Sequence, residues 1–147
     1  NWQTADVPQH HAGIRLWLAE AALPNVLPPL ELDVNSTEWH SGLYDAVFSA
    51  NTLHIMSWTE VERLFAGIGA VLESGGVLAI YGPFNINGAF TSESNARFDA
   101  WLKARDPASD VRDFEAVDAL ARAQGLVLQQ DVAMPANNCT LVWRRMR

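Results

Sequence analysis

A chain of 147 residues with 49% hydrophobic and 18% charged content carries enough apolar material for about one folded domain and does not have the composition of a disordered chain. A net charge of -7 argues against nucleic acid as the main partner, because that binding rests on neutralising phosphates; small molecules or another protein remain. No apolar run reaches the roughly 20 residues that span a bilayer, the opening residues lack the pattern of a signal peptide, and a single cysteine, Cys139, excludes an internal disulfide and fits a reducing, cytoplasmic setting.

Taken in chain order, Asn1-Trp2-Gln3-Thr4-Ala5-Asp6 reads as the tail of a strand, so an upstream segment is expected. Ile14, Trp17, Leu18 and Ala21 follow helical spacing up to Pro24, which predicts a helix over residues 8–22. Leu30-Glu31-Leu32-Asp33-Val34 alternates and predicts a brief strand, followed by a loop through Trp39 and Gly42. The run Ala46 to Ala50 has no charge and little alternation, as for a parallel strand with both faces covered. Asn51, Thr52 and His54 follow at its carboxyl end, the edge at which open α/β sheets bind ligands.

Ser57-Trp58-Thr59-Glu60 matches a capping box, and Val61, Leu64, Phe65, Ile68 and Leu72 continue as an apolar stripe that Ser74-Gly75-Gly76 is expected to stop. Val77 to Tyr81 is a second apolar run, ended by Gly82-Pro83, giving a strand-helix-strand unit with parallel pairing. After the turn-rich Asn85-Ile86-Asn87-Gly88, Thr91 or Ser92 can cap a helix carrying Phe98, Trp101 and Leu102, closed by Asp106-Pro107. Asp113 can cap the next helix, with Gly125 as its stop, and 126–133 and 140–143 form a final antiparallel hairpin at the sheet edge. Trp17, Trp101 and Trp143 fall at apolar positions expected in the core.

The expected strands end in Asp6, Asp33, Asn51, Tyr81 and the Asn137-Asn138 loop. If they run in parallel, these groups share one edge of the sheet, and a row of acids and amides suits the hydroxyls and exocyclic amine of a nucleoside-bearing cofactor. The order of Trp2-Gln3-Thr4-Ala5-Asp6, Leu32-Asp33-Val34, Asp45 to Asn51 with His54-Ile55, Leu78 to Phe84, Phe98-Asp99, Arg105-Asp106-Pro107, Val111-Arg112-Asp113 and Met134 to Asn138 resembles the DUF938 family of S-adenosylmethionine-dependent methyltransferases, which includes the methyltransferase-like 26 proteins.

That resemblance implies a Rossmann-like class I methyltransferase sheet, α/β and mostly parallel with an antiparallel carboxyl-terminal hairpin. It also implies that residues 1–147 are the carboxyl-terminal two-thirds of a longer domain whose first strand is missing. By it, Asp6 ends the second strand and binds the ribose, Asp33 and Val34 flank the adenine, and Asn51 lies beside the methionine part of S-adenosylmethionine. His54, Tyr81 and Asn85 border the acceptor pocket, with Asn137 and Asn138 as further substrate contacts. His54 is the nearby side chain whose ordinary pKa suits a general base, where the acceptor holds a proton.

The glycine-rich loop that follows the first strand in class I methyltransferases is absent from residues 1–147, since Gly75-Gly76 follows a helical stripe. Either the missing part lies upstream or a second copy, in a homodimer, supplies it. The expected partner is otherwise a small-molecule acceptor. A non-catalytic binding module of the same fold is the competing reading. His10-His11 does not suit a metal, because neighbouring helical residues point apart and no further ligand follows at spacing.

Overall fold

A computed structural model of the chain describes residues 1–37, 39 and 42–146. Contacts divide it into two compact units, Asn1–Trp39 and His40–Arg147, each taken by itself below. Of the loop expected through Trp39 and Gly42, His40 and Ser41 lie outside the described residues.

In the first unit β1 (Trp2–Asp6) pairs in parallel with β2 (Val26–Glu31), joined through a 3-10 turn (Pro8–His10) and α1 (His11–Ala21). β2 starts earlier than its alternation predicts and runs through Pro28 and Pro29. Proline has no N–H to give a ladder, and the pairing slips by a bulge at that point, between Gln3 and Ala5. Polar side chains of β1 fill in: Gln3 Nε2 donates to the Pro28 carbonyl (2.6 Å) and Thr4 Oγ1 to that of Leu27 (3.0 Å). The 3-10 turn delays α1 to His11, so the inward face is set by buried His11 with half-buried Ile14 and Leu18. Trp17, one residue from Leu18 and hence about 100° round the helix, is 72% exposed rather than in the core.

The second unit is a mixed four-stranded sheet in the order β3-β4-β6-β5, comprising β3 (Tyr44–Ala50), β4 (Leu72–Gly82), β5 (Leu126–Met134) and β6 (Asn138–Arg145). β3 and β4 are parallel, connected by α2 (Trp58–Val71), whereas β6 inserts antiparallel between β4 and β5. The hairpin is therefore present, but only its first arm, β5, lies at the edge. β3 is the other edge strand of this sheet, and the covering expected on both faces of its apolar run is not found, Phe48 being half exposed.

The capping box at α2 forms in full. The Ser57 side chain accepts from the Glu60 amide and the Glu60 carboxylate accepts from the Ser57 amide (2.8 Å). Val61, Leu64, Phe65 and Ile68 are buried on its inner face. The helix stops at Val71, before the glycines, and Gly75-Gly76 instead lies within β4 where the register to β3 shifts. Gly75 has φ +81°, and a Cβ on Gly76 would come within 2.9 Å of the Glu73 carbonyl oxygen, so the irregularity needs both glycines. Fully buried Trp143 of β6 meets Phe65 edge-on at 6.4 Å and donates its Nε1–H to Asp118 Oδ1 at 2.9 Å.

α3 (Glu93–Arg105) is capped by Ser92, which accepts from the Asn95 amide, and ends at Asp106. Its Trp101 is half exposed, stacked on Phe98 with the Arg105 guanidinium 4.6 Å from its ring, a surface cation-π arrangement in place of the expected core position. α4 (Phe114–Ala123) follows Asp113, whose side chain makes no capping bond, while the Phe114 amide donates to the Asn85 carbonyl (2.9 Å). No helix among the described residues is long and apolar enough to cross a membrane.

Replacing Ser57 by Ala removes one arm of the capping box and is expected to lower unfolding stability by about 1 kcal/mol, read from the urea midpoint at unchanged slope.

Candidate functional site

The carboxyl end of β1 delivers Asp6, in register with Glu31 at the end of β2. Oδ1 of Asp6 accepts from the Val7 amide (2.7 Å) and lies 2.9 Å from His10 Nδ1. The Asp6 main-chain carbonyl accepts from the Leu32 amide (3.0 Å) and from His11 Nε2 (2.7 Å). Asp33 lies two residues beyond the strand, in a turn where its Oδ1 accepts from the Asn35 amide (2.8 Å) and its carbonyl from Ser36 (3.0 Å). Asp33 is exposed and Val34 half-buried. Asp6, Asp33 and Val34 thus belong to the first unit, and the remaining sequence-derived site residues to the second.

In the second unit Asn51 follows β3 in the left-handed region (φ +56°), a conformation Asn tolerates better than most residues, and its amide donates to the Tyr81 carbonyl (2.9 Å). The Ser49 and Thr52 hydroxyls bond across the same turn. His54 is buried, with its ring edge against Phe98 at 5.2 Å and 74°. Burial first, and then the Arg112 charge, hold the His54 pKa below its ordinary 6.5, so the ring is neutral at pH 7.

Tyr81 and Asn138 are brought together: the Asn138 amide donates to the Tyr81 hydroxyl oxygen at 3.0 Å. Asn137 is exposed; its Nδ2 donates to Ser94 Oγ (3.0 Å) and its carbonyl accepts from Asn95 Nδ2 (3.2 Å). Asn85 is buried with Nδ2 donating to the Val111 carbonyl (3.0 Å), while its Oδ1 has no partner among the described residues.

Arg112, Asp99 and Asn95 are the residues that sequence reasoning left without a role. Arg112 is buried and turns its donors on main-chain oxygens: Nε to Leu53 (3.2 Å), and Nη2 to Ala108 (2.9 Å) and Met56. Its own carbonyl accepts from the Asn85 amide (2.9 Å), so one residue ties the His54 loop to the segment after β4. Buried Asp99 accepts from the Val111 amide (2.9 Å) and from Lys103 (2.8 Å), which also reaches Asp110 (2.9 Å). Burial works to raise Asp99, but the bonds from Lys103, Asp110 and Val111 bring it below the ordinary carboxylate range, whereas burial raises Asp110. The only advance signal was that Phe98-Asp99 and Val111-Arg112-Asp113 are segments carrying the family resemblance.

Burial, reinforced by Asp131, pushes the Cys139 thiol up to about 12, which leaves it protonated and unreactive near neutrality. Among the described residues no group of three or more His, Cys, Asp or Glu side chains is placed to hold a metal ion.

Residues 1–145 match the model of a family described as "Protein of unknown function (DUF938)". The fold is that of methyltransferases. An O-methyltransferase family protein from Burkholderia thailandensis superposes with a TM-score of 0.86 at 17% identity, covering 98% of this chain and 43% of that one. An O-methyltransferase family 2 protein from Planctomyces limnophilus, solved with apigenin, gives 0.85 at 14% identity over 98% and 42%. The S-adenosylmethionine-dependent methyltransferase SibL in its apo form gives 0.81 at 21% identity over 99% and 43%. PigF, solved with SAH, gives 0.80 at 15% identity over 97% and 42%. The chain therefore spans less than half the length of these structures.

The lowered pKa of His54 fixes a sign for stability. Below about pH 6.5 the unfolded chain takes up a proton that folded His54 resists, so its contribution favours unfolding as pH falls from 6.5 toward the folded value. Comparing urea stabilities between pH 7.5 and 5, His54→Leu is expected to flatten part of the acid-side decline shown by the unmodified protein.

Proposed function

The chain belongs to the DUF938 family, and from that premise we propose that it is an S-adenosylmethionine-dependent methyltransferase of the methyltransferase-like 26 type, acting on a small-molecule acceptor. The observation that carries the reading is the carboxylate of Asp6 at the carboxyl end of a parallel strand. One of its oxygens is filled by protein donors, and the other has no hydrogen-bond partner among the described residues. A half-buried carboxylate oxygen with free lone pairs fits a ribose hydroxyl, which is the test the cofactor must pass here. The likeness of fold to S-adenosylmethionine-dependent enzymes supports the same assignment.

In this reading Asp6 takes the ribose, Asp33 and Val34 the adenine, and Asn51 the methionine end. Contacts to the cofactor's amino-acid group fall to a glycine-rich loop of a kind that residues 1–147 do not contain. S-adenosylmethionine, when bound, supplies an electrophilic methyl on a sulfonium. The chain's part is to hold an acceptor atom in line, which can lower the barrier by several kcal/mol, and to accept its proton. His54 suits the role of proton acceptor, because its ring is neutral, hydrogen-bonded to no described residue, and oriented by Phe98 and by the loop that Arg112 holds. Tyr81, already accepting a bond from Asn138, keeps its own O–H to donate to an acceptor substrate, and the unpartnered Asn85 Oδ1 would receive a substrate donor. Asn137 belongs to the rim of the same substrate surface.

The test is titration of the full-length protein with S-adenosylhomocysteine, followed by incubation with methyl-labelled S-adenosylmethionine and fractionated small-molecule extract. Saturable binding and label in a small-molecule fraction are expected. His54→Gln should bind S-adenosylhomocysteine within a few fold of the unmodified protein while turnover falls by about 10²-fold. No heat at millimolar ligand would overturn the cofactor assignment, and binding without transfer to any fraction would favour the non-catalytic module.

A further inference from the structure

The two adjacent histidines, which as a metal site lead nowhere, both act on Asp6. We propose that His10 and His11 are a positioning pair that fixes the Asp6 carboxylate and decides which of its oxygens is left for a ligand. The proposal rests on the reading of Asp6 as the ribose contact.

Neighbouring residues within one helix diverge by about 100° and do not meet on one group. Here they straddle a junction: His10 closes the 3-10 turn and His11 opens α1. The two rings meet different atoms of Asp6: His10 Nδ1 lies 2.9 Å from the carboxylate and His11 Nε2 2.7 Å from the main-chain carbonyl of the same residue. With the Val7 and Leu32 amides, four donors converge on Asp6, two on its side chain and two on its backbone.

The side-chain pair is unequal in a useful way. A carboxylate oxygen offers about two lone-pair positions, and the Val7 amide and His10 occupy both on Oδ1. Oδ2 keeps its own for hydroxyl donors, in a carboxylate plane that the two bonds on Oδ1 restrain. A diol meeting this group does not have to order it, and preorganisation of that kind tightens binding by removing the cost of immobilising the side chain. With a proton on Nδ1, His10 donates to Oδ1.

His11 is buried, and its replacement can disturb the start of α1; exposed His10 carries the test. Full-length His10→Ala is titrated with S-adenosylhomocysteine and with its 2′,3′-dideoxy analogue, alongside His10→Asn, whose amide nitrogen can occupy the place of Nδ1. The expected result is a three- to tenfold weaker Kd for S-adenosylhomocysteine in His10→Ala, no change for the dideoxy analogue, and recovery in His10→Asn. Equal weakening of both ligands, or of neither, would overturn the proposal. Asp6→Ala separates the two levels. If it weakens S-adenosylhomocysteine while His10→Ala does not, only the positioning role fails; if it leaves the affinity unchanged, the ribose assignment fails and takes the positioning role with it.

Discussion

A single buried guanidinium organises the segment that follows β3. A turn leaving a strand end has carbonyls that no ladder satisfies, and burying them without partners is costly. Arg112 meets this by donating to Leu53 and Met56 within the turn and to Ala108 across from it. The charge is itself costly to bury, and the nearby Asp110 (3.7 Å) and the face of Trp58 (5.9 Å) partly compensate it. His54 therefore sits on a turn whose backbone is fixed from outside, with Phe98 closing on its ring. The Lys103 bridge from Asp99 to Asp110 then fastens α3 to the strip of chain that carries Arg112.

The Met134 to Asn138 connection is held in a related way. Ala136 and Asn137 both adopt left-handed backbone (φ +60° and +58°), a conformation that costs about 1 kcal/mol for a residue such as alanine. Three amide side chains keep it there: Asn137 to Ser94, Asn95 to the Asn137 carbonyl, and Asn138 to the Tyr81 hydroxyl. The strain is local, and the connection brings the start of α3, the end of β4 and the β5–β6 hairpin to the same place.

Features encoded over a few neighbouring residues were legible from the sequence. The capping box at Ser57, the cap at Ser92, the stop at Gly125 and the strand that ends before Asn51 all follow from local spacing and backbone preference. What escaped depended on partners distant in the chain. Alternation placed the second strand at Leu30 to Val34, yet β1 supplies side-chain donors that hold it from Val26 through Pro28 and Pro29. Gly75-Gly76 read as a helix stop, and the pairing with β3 made it a bulge instead. Trp17 and Trp101 read as core because spacing identifies a face but not whether another element covers it. Of the candidate site, the position of Asp6 at the end of β1 and of Asn51 just past β3 follows from local pattern. Arg112, Asn95 and Asp99 were not found that way, since their roles are bonds to main-chain or side-chain atoms of segments that come together only in the fold.

In the proposed function Asp6 is the connection to chemistry, with protein donors on one carboxylate oxygen and no partner among the described residues on the other. Hydrogen-deuterium exchange of the full-length protein, with and without saturating S-adenosylhomocysteine, tests that connection most directly. Slowed exchange is predicted at the amides just past β1 and β3, Val7 and Thr52 among them, with the edge strand β5 unaffected. Protection confined to other segments, or none at saturation, would contradict the placement of the cofactor at these strand ends.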